Sequence, residues 1–185
     1  MTLSPRRARM LANFASIDSL FYLAGLIAVI ASLKVVTGNN TVHALLYLVV
    51  SLLAVAVCFY LMGAPFAAGL EVIVYAGAIL VLFVFAVLMF GLGEDETANA
   101  PQNKTVANMF GAMLLALALL IEIVIIINNG DMQQNLQANV IDSKAVGIML
   151  YGPYLLAVEI ASFLLLAGLL AGYHYAKPDV TRGPL

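Results

Sequence analysis

The chain has 185 residues, 64% of them hydrophobic and 10% charged, with a formal net charge of −2. Soluble domains run near half apolar and about a quarter charged, so eight basic and ten acidic side chains cannot cover a water-facing surface around such a core. The basic residues are scattered through termini and loops rather than gathered in a stripe, which excludes a nucleic-acid footprint.

Five apolar stretches are long enough to cross a hydrocarbon core of about 30 Å, and in lipid each must be helical to pair its own backbone groups. They run from Ser19 to Val36, His43 to Met62, Ala67 to Phe90, Val106 to Ile127 and Pro153 to Tyr173. The expected fold is an all-α integral membrane protein, a single membrane domain over residues 1–185 with five transmembrane helices. Arg6, Arg7 and Arg9 precede the first span, but the apolar run is long, set back from them and without a small-residue cleavage site, so a signal peptide is rejected. Tight turns are expected at Gly38 to Val42 and Gly63 to Phe66, and a polar acidic loop over 91–105. Within the longer segment 128–152, Asp142 or Ser143 is placed to cap a short interfacial helix, Lys144 to Leu150, ended by Gly152-Pro153. Loop charge does not orient the chain: Arg6, Arg7, Arg9 and Lys144 on one side balance Lys34, Lys104, Lys177 and Arg182 on the other.

Three carboxylates fall inside spans, Glu71 in the third, Glu122 in the fourth and Glu159 in the fifth. Ionisable groups at membrane depth are costly and point to function. Following the chain up and down at about 1.5 Å per residue puts all three roughly 6 to 9 Å beneath one face, a layer suited to hydrated carboxyls that pass protons. The competing reading is interfacial hydration without a role, and for Glu122, facing headgroups, that reading is preferred. Tyr75, four residues after Glu71, lies on the same face of a regular helix one turn deeper and would extend a water path inward. Ala76-Gly77-Ala78 and the GxxxG of Gly168 to Gly172 read first as helix-packing surfaces, and a mid-span glycine also lets the backbone deform into a π-bulge at little steric cost. The lone Cys58 permits neither an intrachain disulfide nor a cysteine-ligated cluster, and His43 and His174 read as interfacial residues rather than a haem pair. With no nucleotide loop, nucleophile with base, or metal cluster, no complete active site is expected.

The stretch Gly69-Leu70-Glu71-Val72-Ile73-Val74-Tyr75-Ala76-Gly77-Ala78-Ile79-Leu80-Val81-Leu82-Phe83 resembles the third span of subunit J of bacterial proton-pumping NADH:quinone oxidoreductase, respiratory complex I. Val42 to Tyr47, Ser143 to Gly147, Tyr151 to Tyr154 and Ala157 to Glu159 agree with the same family, and the likeness spans Asp18 to Tyr173. The resemblance implies a non-catalytic membrane-arm subunit in the bacterial inner membrane, among lipid, the quinone-binding subunit, small subunits A and K and antiporter-like subunits. It implies no cofactor on this chain; FMN, iron-sulfur clusters, NADH and quinone belong to other subunits. It also implies a π-bulge near Tyr75 to Ala78, whose straightening opens and closes a water path, with Glu71, Tyr75, Gly77 and Glu159 as proton-path or gating candidates. The loop after the third span would be cytoplasmic, leaving the N-terminus periplasmic and the C-terminus cytoplasmic. Two features depart from the pattern, the basic extension 1–17 and Glu122. A related cation/proton antiporter or membrane-bound hydrogenase, and a purely structural scaffold, are the alternatives.

Overall fold

The computed structural model describes residues 17–38, 40–89, 102–128 and 140–176, with the side chains of 102–108 and 176 outside the description. The extension 1–16, most of the polar loop 91–105 and residues 129–139 of the interfacial segment therefore lie outside the described residues. Every described regular element is helical: α1 (Ile17–Thr37), α2 (Thr41–Leu61), α3 (Pro65–Leu70), a π-helical segment (Glu71–Ile79), α4 (Leu80–Met89), α5 (Gln102–Asn128), α6 (Ser143–Leu150) and α7 (Leu155–Ala176). Helix α3, the π segment and α4 run without interruption, so among the described residues five helices are long and apolar enough to span a membrane. The fourth begins at Gln102, within the stretch expected to be loop, and in the fifth residues 151–154 form a turn before the helix starts at Leu155 rather than Pro153.

The chain divides into two compact units, Met1–Ile141 and Asp142–Leu185. In the first, α1 buries Leu20, Ala24, Ile27 and Ala31 against Val50, Ala54, Val57 and Leu61 of α2. Both quartets have the 4-3-4 spacing that lays one narrow seam along a helix, and Ala24, Ala31 and Ala54, all fully buried, let the backbones approach closely. Within this seam Ser51 Oγ donates to Ala28 O at 3.2 Å and shares a 2.8 Å hydrogen bond with Ser32 Oγ, so this buried hydroxyl is satisfied. Helix α5 adds Leu119 and Ile126 to the same core.

The turn from α2 to α3 is a Schellman closure. Gly63, at φ 80°, donates to Tyr60 O, while Ala64 N–H reaches back to Phe59 O, each at 3.0 Å. Only glycine takes this left-handed backbone without penalty, and Pro65 then opens α3, where its missing N–H is not needed. The Gly63 carbonyl accepts from Ile141 N–H at 2.9 Å, which ties the segment following α5 to this turn.

In the second unit, Asp142 is the extended N-cap residue of α6 but makes no side-chain cap bond; its Oδ1 instead meets Ser143 Oγ at 3.3 Å. The passage to α7 is held by backbone bonds from Tyr151 to Gly147 and from Tyr154 to Met149. Gly152 is required there, since a Cβ would fall 2.7 Å from the Ile148 carbonyl oxygen.

Candidate functional site

The third span carries the chain's departure from regular geometry. Over nine residues, Glu71–Ile79, the backbone bonds in the i→i+5 pattern, and Leu80 N–H closes the segment on Tyr75 O. Such helices are rare and usually limited to a single turn. Gly77 sits in this segment, where a Cβ would stand 3.1 Å from the Val72 carbonyl oxygen five residues back, tighter than an ordinary contact.

This bonding pattern resets which side chains face the bundle. Ala68 and Glu71 are buried; after Glu71 the only residues before Val84 withdrawn from the surface are Ala76 and Leu80, and Val87 follows. The steps are three, five and four residues, where an α-helix would turn inward at Tyr75. Tyr75 is instead 52% exposed while Glu71 is 9% exposed. The phenol therefore does not stand beneath the carboxyl on the inward face, because the widened turn displaces the face by one residue. Leu82 and Phe83 also point outward.

Glu122 departs from the sequence expectation as well. It is 1% exposed, on the α5 seam formed by Ala112, Leu119 and Ile126, and it does not face headgroups. Position alone suggested an interfacial residue because α5 is apolar all round, so nothing in its pattern tells which side is covered. The 3-4 spacing of Leu119, Glu122 and Ile126 is the signal that, combined with packing, identifies the face. Cys58 of α2 lies within electrostatic reach of this carboxyl. An apolar cleft of about 390 Å³ opens nearby, walled by Val57 and Tyr60 of α2, Ala68 and Val72 on either side of Glu71, and Ile123 and Ile126 on the turn that follows Glu122. Glu71 and Glu122 thus lie toward the same end of the first unit. Glu159 belongs to the second unit, where its side chain is exposed and its carbonyl accepts from Ser162 Oγ at 2.7 Å. Among the described residues no three His, Cys, Asp or Glu side chains gather as a metal site.

Comparison with known proteins gives this arrangement its context. Residues 31–174 match the family model for NADH-ubiquinone/plastoquinone oxidoreductase chain 6. The chain belongs to this family. NADH-quinone oxidoreductase subunit J of Pseudomonas aeruginosa is 50% identical over 162 residues, covering 88% of this chain and 98% of the relative. The Escherichia coli K12 subunit J is 49% identical over 159 residues, 86% of each chain. Subunit J of Buchnera aphidicola from Schizaphis graminum is 41% identical over 160 residues, 86% of this chain and 98% of the relative. Family membership and five apolar helices together make this chain-6 protein a multi-pass membrane subunit. The matched region takes in the whole π segment and Glu122, and leaves out the N-terminal two thirds of α1.

Proposed function

We propose that this chain is a non-catalytic membrane-arm subunit of a bacterial inner-membrane NADH:quinone oxidoreductase, and that its third helix couples quinone reduction to proton translocation. The observation that carries the reading is the one-residue displacement of the inward face across Glu71–Ile79. If the π segment becomes α-helical with Ala68 and Glu71 held in place, one residue leaves the turn and everything beyond rotates by about 100°. Tyr75, Ile79 and Phe83 then replace Ala76, Leu80 and Val84 on the inward side. A phenol arrives beside the Glu71 layer while a bulky ring swings into the bundle further along, so hydration and blockage of a path exchange with the same motion. Glu71 and Tyr75 are the proton-path groups of this cycle, Gly77 is the residue at which the backbone yields, and Glu159 is a further proton-path candidate on α7. Lipid, the quinone-binding subunit, small subunits A and K and antiporter-like subunits surround the chain. FMN, iron-sulfur clusters and the NADH and quinone sites are carried by those and other subunits of the complex.

Gly77→Val tests the coupling. The added Cβ presses on Val72 O, and its β-branch stiffens the turn, which holds the segment in one register. NADH oxidation linked to quinone and proton pumping should fall together roughly tenfold, equivalent to about 1.4 kcal/mol of barrier. Electron transfer from NADH to an artificial acceptor in the peripheral arm should persist. Normal quinone reduction and a normal gradient in assembled Gly77→Val complexes would overturn the gating role. The proposed orientation, with a periplasmic N-terminus and a cytoplasmic C-terminus, requires reporter fusions at Leu185 and inside the 91–105 loop both to signal cytoplasm; a periplasmic signal from either reverses it.

A further inference from the structure

Helix α7 leaves almost its whole length uncovered: among its described residues only Val158 is not exposed. Leu155, Glu159, Phe163, Leu166 and Leu170 follow one another at steps of four, four, three and four residues, so they form one ridge along the helix. Glu159 stands about 6 Å from the start of α7 at 1.5 Å per residue, inside a span that is otherwise apolar at this depth. Ser162 turns its hydroxyl to the Glu159 backbone carbonyl, and among the described residues no hydrogen bond or ion pair reaches the carboxyl. Lys144 of α6, in the same unit, is exposed and makes no pair with it. In the first unit the one described lysine or arginine side chain is Lys34, in the last turn of α1. Spans that alternate across a membrane put Lys34 at the face opposite Glu159. Ala157, Ala161, Gly168 and Gly172 line the other side of α7, so a neighbour packed closely on that small-residue side does not cover Glu159.

An apolar ridge by itself is at rest against lipid, but a carboxyl set into the ridge is not, because acids inside spans face protein, where partners meet them. We propose, on the reading that the chain is a membrane-arm subunit, that the Leu155 to Leu170 ridge of α7 docks a membrane helix of another subunit, one that carries a lysine or arginine at the depth of Glu159 and donates from it to the carboxyl. Such side chains donate several hydrogen bonds and accept none, which suits two carboxyl oxygens without partners. Opposite charge also fixes the depth at which two otherwise apolar helices meet.

The test uses native membranes, with Phe163→p-benzoylphenylalanine placing a photocrosslinker on the ridge one turn beyond Glu159. After illumination, a native gel and peptide mass spectrometry should find this chain in the NADH-oxidising complex, joined to a membrane helix of a different subunit that bears a lysine or arginine near the joined residue. Glu159→Lys should lower the amount of assembled complex about tenfold or more, since like charges then meet at the contact, and exchanging the partner's basic residue for glutamate in the same strain should restore it. The crosslink leaves Glu159 intact and decides the matter where Glu159→Lys fails to insert. A crosslink confined to lipid, to this chain or to a second copy of it, or to a helix without a lysine or arginine, overturns the docking surface while the chain stays in the complex. Absence of the unsubstituted chain from the NADH-oxidising complex instead overturns the membrane-arm reading itself.

Discussion

The α1–α2 pair and the third span are built from the same kind of residue yet behave as opposites. In α1 the buried positions repeat at 4-3-4 without a break, and so do the residues of α2 packed against them, so the contact between the two helices has one register. In the third span the repeat passes through Ala68, Glu71, Ala76 and Leu80, and the five-residue step exists only because nine residues bond in the π pattern. A regular α-helix over the same sequence would present a different set of side chains beyond Glu71. Close packing of small residues on a regular repeat removes alternatives, while the widened turn around Gly77 is what, in the proposed cycle, allows a second register.

Deleting one residue from each region separates them most sharply. Deletion of Leu53 rotates Ala54, Val57 and Leu61 by about 100° away from α1, and assembled complex should be absent from membranes by native gel. Deletion of Val74 converts the five-residue step into four, so an α-helix keeps Ala68, Glu71, Ala76 and Leu80 all inward; assembly should survive while quinone-linked pumping is lost. Assembly of the Leu53 deletion at wild-type levels would show that the α1–α2 seam does not determine register. Pumping by the Val74 deletion would show that the π segment is dispensable.

Point substitutions sharpen the contrast with smaller effects. Ser51→Ala removes the hydroxyl that donates to Ala28 O and bonds Ser32, and should lower stability by about 1 kcal/mol without altering the ratio of protons pumped to NADH oxidised, read as a small drop in the thermal midpoint of the complex. Tyr75→Phe keeps the ring and removes a hydroxyl that is outward in this register, so assembly and thermal midpoint should not change and pumping should fall by less than in Gly77→Val. A Tyr75→Phe loss as large as that of Gly77→Val would mean that the phenol, rather than the backbone, limits the cycle.

Much of this architecture was legible in the chain itself. Five apolar runs determine five membrane helices because lipid leaves an isolated backbone no other way to pair its amides, and Gly63 before Pro65 reads directly as a helix stop and start. The likeness of Gly69 to Phe83 to one family pointed to a π-bulge in the third span, but a hydrogen-bond pattern has no residue code, and the nine-residue extent of the π segment came only with the backbone. Which way the side chains turn was equally out of reach. Membrane helices are apolar on every side, so the periodicity that marks the inward face of a soluble helix is missing. Only tertiary packing decided that Glu122 is enclosed and that Tyr75, four residues from Glu71, faces outward.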